Sequence, residues 1–535
     1  MIISTGKKYN SEDFYKVIFT KDPILIAEST INRMTENFSF LKSFSKGKVI
    51  YGINTGLGPM AQFKINENEQ VDLQYNLIRS HSTGMGSVLD EQTSRSVMLA
   101  RLISLSQGYS GISPETVQLL AELINLEIYP HIYDHGGVGA SGDLIQLAHL
   151  ALGLIGEGKC RYKGKDYPII DVMTMHNLNP IQIQSREGLA ILNGTSAMTG
   201  LGVINLLNAK NLLNWSLSSS AMIMEMVESF DDHYSESLNK VKPHKGQNDI
   251  AFKLRSHLEG SSLIRKRATE AFHGENGTRH IKTKVQEYYS IRCVPQILGP
   301  IHETIEKAEE IIHNEINSVS DNPIVDDAQN EVFHGGNFHG DYISFEMDKL
   351  KIAVAKLSVL SERQLNFLMN DKLNQILPPF LNLGTLGLNL GMQGSQFVAT
   401  STTAENLTLS FPMYLHNIPS NNDNQDVVSM GFNSALLAKK VIENTYQVVS
   451  VLALAITQGI SYLKIRNELS AKSNAIFRKI RSLVPVFTED QILSDHLKIV
   501  NEYLLNLNRE LVDTEFKNEI NYEQEEEICP GNRSI

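Results

Sequence analysis

The segment His135-Gly-Gly-Val-Gly-Ala-Ser-Gly-Asp143 gathers small residues around one serine, and its chemistry can be written out from the residue types alone. If the backbone nitrogen of Gly142 attacks the carbonyl of Ala140, a five-membered ring closes. Gly142 has no Cβ to block that approach, and Ala140 is small enough to permit the kink. Loss of one water from the ring and another from the Ser141 side chain leaves an exocyclic methylene conjugated to an imidazolone. That group is a strong electrophile, which no ordinary side chain provides. The same stretch also spells GxGxxG at Gly137, Gly139 and Gly142, by itself a weak dinucleotide signature. A dinucleotide site needs a preceding apolar strand, and Pro130-His-Ile-Tyr-Asp-His135 is a poor one. The candidate ribose ligand, Asp166, falls in the polar, turn-like Arg161-Tyr-Lys-Gly-Lys-Asp166. His131 and His135 have the spacing of a metal pair on a helix, but Gly136-Gly137 argues against a helix there, which leaves two ordinary loop histidines.

The elements around the loop must hold it in place. Asp143-Leu-Ile-Gln-Leu-Ala-His-Leu-Ala-Leu-Gly-Leu-Ile155 reads as a nearly all-apolar, buried helix. Its N-terminus would turn a positive dipole end toward the ring as the electrophile takes up electrons. Up to Thr195, helical patterns mix with glycine-rich loops at Gly52 to Gly58, Gly84 to Gly86 and Gly136 to Gly142. Beyond that point the pattern changes. No proline interrupts Ile181 to Lys242, and long helical patterns cover Gly200 to Phe230, Leu298 to Asn317, Leu350 to Met369 and Ser434 to Tyr462. In the second of these, Ile301, Ile305, Ala308, Ile312 and Ile316 define one helical face. Helices of this length usually pack as a bundle. The alternation of strand and helix that a parallel sheet requires is absent, so the predicted fold class is mainly α. A loop-rich domain of residues 1–200 carries Ala140-Ser141-Gly142, a long central helical bundle covers 201–512, and an acidic tail from Asp513 to the end should fray.

Composition sets the remaining bounds. At 535 residues, 42% hydrophobic and 20% charged, the chain has the make-up of a soluble globular protein. Its formal charge of −12 argues against nucleic acid and anionic membranes as partners. The most basic stretch, Lys240 to Arg267, has few aromatics to stack bases and reads as a solvated loop. The three cysteines, Cys160, Cys293 and Cys529, show no CxxC spacing, so neither a disulfide framework nor a zinc site is implied. The N-terminus has no apolar signal core, and the longest apolar run, Val448 to Ile456, is too short to span a bilayer. A reducing cytoplasm is the expected setting, with no metal and no nucleotide.

The loop Gly139-Ala-Ser-Gly-Asp-Leu144 resembles the cofactor loop of the ammonia-lyases and aminomutases for histidine, phenylalanine and tyrosine. Tyr51-Gly-Ile-Asn-Thr-Gly-Leu-Gly58, Leu192-Asn-Gly-Thr195, Tyr289-Ser-Ile-Arg-Cys293, Ser320-Asp-Asn-Pro323, Gly335-Gly-Asn-Phe-His339 and Asn424-Gln-Asp426 resemble further signatures of that family, in family order. The resemblance implies a fumarase/aspartase-like helical fold and the prosthetic group 4-methylideneimidazole-5-one, made autocatalytically from Ala140, Ser141 and Gly142. It also implies a homotetramer whose active sites are shared among subunits. Under it, Tyr51 is the base, Arg292 holds the substrate carboxylate as a two-pronged donor, and Asn193 bonds the cofactor carbonyl or the substrate carboxylate. Tyr289 lies against the cofactor, Asn322 and Gln425 complete its polar surroundings, Phe338 walls the substrate ring, and Glu405 faces the amine or ring.

The residues that would read the substrate ring point two ways. Ser80-His81 with Glu405 resembles histidine lyases. Asp143-Leu-Ile-Gln-Leu147, Pro59-Met-Ala61 and Gly340-Asp-Tyr-Ile343 resemble a bacterial group of tyrosine lyases that keep Ser-His. An imidazole at His81 suits a phenol hydroxyl, and a site built around that hydroxyl would reject phenylalanine. It also suits a substrate imidazole. Tyrosine is the expected substrate, with histidine the alternative, then phenylalanine or the aminomutase reaction.

Overall fold

The computed structural model describes residues 1–270 and 285–515. The helices that build or position the site are Gln70–His81 (α1), Leu144–Leu154 (α2), Glu187–Leu192 (α3), Ser196–Met226 (α4), Lys245–Leu258 (α5), Val294–Ile316 (α6), Asp341–Met369 (α7), Gln393–Leu409 (α8), Gly431–Leu463 (α9) and Ser494–Glu515 (α10). No strand among the described residues exceeds four residues, and the sheets have two or three strands. The fold is mainly α, as expected.

α4, α7 and α9 pack against one another as a bundle, α6 joins it against α4 and α7, and α7 against α9 is the most extensive pairing. The predicted apolar face of α6 is realised: Ile301, Ile305, Ala308, Ile312 and Ile316 are all buried. α9 is buried on nearly every side from Val448 to Ile460, as a helix at the centre of a bundle must be. The run Val448 to Ile456 is indeed short, but its flanks extend it, and α9 as a whole is long and apolar enough to cross a membrane by length and composition. Most of that apolar surface is instead buried inside the protein. The asparagines that punctuate α4 stitch helices together: Asn205 donates to Ala435 O at 2.8 Å, and Asn211 to Tyr446 Oη at 2.7 Å and Leu504 O at 2.9 Å. The only tryptophan, Trp215, donates its indole N–H to Leu504 O at 3.0 Å and packs on the Tyr503 ring, tying α4 to α10.

Some expectations are corrected. The helix read from Gly200 to Phe230 runs instead from Ser196 to Met226, so the division expected at residue 200 falls inside α4. Half of Lys240 to Arg267 is helix α5 rather than loop, and its charges are paired: Lys245 bridges Asp249 and Glu306 at 2.7 and 2.8 Å, and Arg267 meets Asp232 at 2.8 Å. The turn-like Arg161–Asp166 stretch belongs to an antiparallel hairpin, Lys159–Tyr162 with Lys165–Pro168, closed by Lys163 and Gly164 at φ of 50° and 74°. Both central residues in the left-handed region make the tight turn that matches strand twist. Of the acidic tail, residues 513–515 complete α10, and the rest, with Cys529, lies outside the described residues.

Candidate active site

Ala140-Ser141-Gly142 is clamped at both ends. Downstream, Gly142 bridges Gly194, and Asp143 N donates to Gly194 O at 2.8 Å. Gly142 has φ of +72°, and a Cβ there would stand 2.0 Å from Gly194 O, so only glycine fits. Upstream, Gly139 O accepts from Ser429 Oγ at 2.9 Å and from Gly340 N at 3.1 Å. Two side chains address the serine: Asn193 Nδ2 donates to Ser141 O at 2.9 Å, and Gln425 Nε2 donates to Ser141 Oγ at 2.8 Å. In a dehydrated ring the Ser141 carbonyl would be conjugated with the exocyclic methylene. Asn193 therefore donates to the oxygen on which negative charge would collect.

Two helix N-termini converge behind the loop. α2 starts directly after Asp143, and α4 starts after Thr195, beside the Gly142–Gly194 bridge. Asp143 Oδ2 accepts the Met198 amide of the first turn of α4 at 2.8 Å. The carboxyl is fully buried, and that desolvation pushes its pKa up to about 7 against the lowering effect of the backbone donors. Beneath it lies a charged network that sequence reasoning missed. Arg101, entirely buried, donates to Asn193 O at 2.8 Å and to Ala190 O, fixing the backbone from which the Asn193 side chain projects. Burial draws its guanidinium pKa down to about 10, so it stays charged at neutral pH. Arg186 pairs with Asp321 at 3.0 Å, both buried. The available signal was an arginine inside the apolar run Val97-Met-Leu-Ala-Arg-Leu-Ile103, since a buried charge requires partners.

Tyr51 lies in a turn, and Gly58 N donates to its Oη at 3.2 Å. That bond fixes where the phenol oxygen points. Gly58 in turn abuts Asn421, whose Nδ2 would be 2.7 Å from a Cβ at that glycine. Asn421, Asn422 and Asp423 are all left-handed, which costs roughly 1–2 kcal/mol each for an ordinary residue and less for Asn and Asp. Their turn is closed by the Ser420–Gln425 bridge and delivers Gln425 to Ser141. Tyr51, the tripeptide, Asn193 and Gln425 are thus joined by a continuous chain of contacts. Ser80 and His81 end α1, which packs on α2. His81 Nδ1 lies 3.0 Å from Leu77 O and 3.1 Å from Ser80 Oγ. A carbonyl only accepts, so Nδ1 carries the proton and Nε2 is left as an acceptor. Desolvation lowers the His81 pKa, which keeps the ring neutral.

Asn322 and Phe338 sit on adjoining loops: Asn322 Oδ1 accepts from Gly335 N at 2.8 Å, and the Gly335–Gly340 loop reaches Gly139. Tyr289, Arg292 and Glu405 are elsewhere. Arg292 stands 4.7 Å over the Tyr289 ring and bonds Gln286, on a short helix whose Ser290 O accepts from Gln364 of α7. Gly340 starts α7 at the tripeptide, so Gln364 is about 35 Å along that helix at 1.5 Å per residue. Glu405 accepts from Asn444 Nδ2 at 2.8 Å, and its helix α8 meets α7 where Thr403 bonds Ser358. That contact is roughly 27 Å along α7 from Gly340. One chain does not bring these three residues to the tripeptide.

Other readings of the loop have different fates. The GxGxxG glycines follow an antiparallel strand pair, Met85–Val88 with Tyr133–His135, and Asp166 is bound by Arg161 at 3.0 Å and His131 at 3.1 Å. Neither arrangement is that of a dinucleotide site. Asp249, His302 and Glu306 gather elsewhere, but the Lys245 ammonium already bridges both carboxylates.

A family model described as aromatic amino acid lyase matches residues 10–482. Tyrosine 2,3-aminomutase of Myxococcus sp. (strain Mx-B0) is 40% identical over 462 residues, 85% of this chain and 88% of that protein. Histidine ammonia-lyase of Geobacillus sp. (strain WCH70) is 34% identical over 505 residues, 94% of this chain and 96% of the other. The solved phenylalanine aminomutase of Pantoea agglomerans superposes with a TM-score of 0.91 at 34% identity, covering 94% of this chain and 99% of its own. The fold is the fumarase/aspartase-like fold of these enzymes.

Proposed function

The chain belongs to the aromatic amino acid lyase family, and from that premise we propose that it eliminates ammonia from L-tyrosine to give p-coumarate, on an electrophile formed from its own Ala140-Ser141-Gly142. That group, 4-methylideneimidazole-5-one, supplies an electron-poor methylene that activates the substrate for loss of its amino group. The residues present fit it: glycine alone is tolerated at 142, a donor stands at the Ser141 carbonyl that the group keeps, and another stands at the hydroxyl that must leave to form it. The observation that carries the reading is the Asn193 donor on Ser141 O, because it serves a charge that only the modified loop would develop there.

In this reading Tyr51 takes the β-proton, with its Oη held by the Gly58 amide. Asn193 holds the cofactor carbonyl, Tyr289 lies against the cofactor, Asn322 and Gln425 complete its polar surroundings, and Phe338 walls the ring. His81 offers Nε2 as an acceptor, which complements a phenol O–H or an imidazole N–H and so favours tyrosine or histidine over phenylalanine. Arg292 clamps the carboxylate and Glu405 faces the amine. Because these two and Tyr289 lie far along the bundle from the tripeptide of their own chain, the working site draws all three from other copies, in a homotetramer. The unpaired Cys160 and Cys293 suit a reducing cytoplasm.

A second reading is favoured by the name of the 40% identical relative: return of the ammonia to the β-carbon, making β-tyrosine. A third, histidine elimination, is favoured by relatives that align over nearly the whole chain. The test incubates pure protein separately with L-tyrosine, L-histidine and L-phenylalanine and identifies products by liquid chromatography with mass detection. Coumarate from tyrosine is expected. β-Tyrosine as the main product establishes the mutase reading, urocanate without coumarate establishes histidine, and no product from any substrate overturns the activity.

A further inference from the structure

Ring closure requires Gly142 N to reach the Ala140 carbonyl carbon, so the positions of both ends of the tripeptide matter. The downstream end is fixed locally, by Gly194. The upstream end is fixed by residues from far along the chain. Gly139 O receives two donors, Ser429 Oγ at 2.9 Å and Gly340 N at 3.1 Å, which engage both of its lone pairs. Val138 O accepts from Met430 N at 3.0 Å. Ser429 is completely buried, and the contacts around it are close: a Cβ on Gly139 would stand 2.1 Å from Ser429 Oγ, and one on Gly340 would stand 2.7 Å from it. The Ser429 backbone carbonyl is itself held by the Ser344 hydroxyl of α7. Gly139 O, Ala140 N and Ala140 Cα belong to one rigid peptide plane, so holding the oxygen fixes the Cα from which the Ala140 carbonyl projects.

We propose that Ser429 is a positioning residue for maturation: its hydroxyl locks the Gly139–Ala140 peptide so that Gly142 N is aligned on the Ala140 carbonyl. This rests on the reading that Ala140-Ser141-Gly142 becomes the cofactor. The Gly142 N–Ala140 C bond forms, and the former carbonyl oxygen leaves as water with the amide protons of Gly142 and Ser141 as a C=N bond forms. The Ser141 hydroxyl then leaves with the Ser141 Cα proton as a second water, creating the Cα=Cβ bond. No oxidant is needed. Ser429 lies two residues before α9, and Gly340 immediately precedes α7. The latch therefore exists only once the starts of both helices have docked on the N-terminal loop, and the chain cyclises after its bundle has formed.

The test follows full-length chain made by cell-free synthesis, with timed aliquots digested and the peptide containing residues 140–142 weighed for loss of two waters. Ser429→Ala and the near-isosteric, weakly donating Ser429→Cys should slow that loss by about fivefold, as expected for one hydrogen bond. Ser434→Ala is the matched control: it deletes an equally buried hydroxyl that bonds Ser344 O and Asp348 but does not touch Gly139. It should mature at the wild-type rate. Wild-type kinetics in both Ser429 variants, or equal slowing in Ser434→Ala, would overturn the proposal. Absence of water loss in the wild-type chain would instead overturn the cofactor reading.

Discussion

Asn193 and Ser141 meet through one hydrogen bond, from a side-chain N–H to a backbone carbonyl, at 2.9 Å. The donor is preorganised, because Arg101 holds the Asn193 backbone from below. Removing such a donor costs about 10²–10³ in kcat where charge develops on the acceptor. Asn193→Ala should show that loss with KM changed far less, in protein whose intact mass still records two lost waters. Unchanged kcat in matured protein would remove Asn193 from the chemistry.

Tyr51 receives the Gly58 amide and, among the described residues, makes no hydrogen bond to the tripeptide. Tyr51→Phe should therefore mature normally yet lose about 10²–10⁴ in kcat, the usual worth of a positioned base. Mass spectrometry and steady-state kinetics on one preparation check both halves. Failure of the variant to lose two waters would mean that Tyr51 acts in maturation instead.

The distance from Gly139 to Ser290 along α7 leads to a mixing experiment. Tyr51→Phe and Arg292→Ala chains, each inactive alone, should regain measurable turnover when co-expressed, because a site assembled from different copies can combine an intact tyrosine with an intact arginine. Persistent inactivity in verified mixed assemblies would mean that each chain supplies both residues to its own site.

His257, on α5, lies 3.1 Å from Ser473 Oγ and is held neutral by burial, which lowers its pKa from 6.5 to about 3, with a smaller contribution from Lys472. Between those values the unfolded chain binds the extra proton. The contribution of His257 to stability is therefore complete above pH 6.5 and is lost as pH falls toward 3. Nearby Glu225, whose carboxyl is raised chiefly by burial, acts in the opposite sense. His257→Gln should flatten the decline of Tm across that acid range. Parallel Tm curves for variant and wild type would exonerate the histidine.

Features set by neighbours in sequence were legible without the structure. The tripeptide chemistry needs three adjacent residues, and the α6 face needs only its period. Features set by distant partners were not. Ser429 gains its meaning from Gly139, 290 positions away, and Arg101 from the Asn193 and Ala190 carbonyls. The helix within the stretch from Lys240 is hidden in the sequence because Lys245 is neutralised by Glu306 on a different helix. Resemblance supplied the order of Tyr289, Arg292 and Glu405 along the chain. It did not supply their place in space, because helix length converts a modest sequence separation into tens of ångströms. The Lys159–Pro168 hairpin escaped notice because its strands are short and half exposed, leaving little alternation to detect.

The placement of Trp215 has an optical consequence. The chain's sole indole is buried between α4 and α10, with its N–H committed to Leu504 O. Its emission spectrum will report whether the C-terminal helix is seated on the bundle, and a red shift during denaturation will time the departure of that helix.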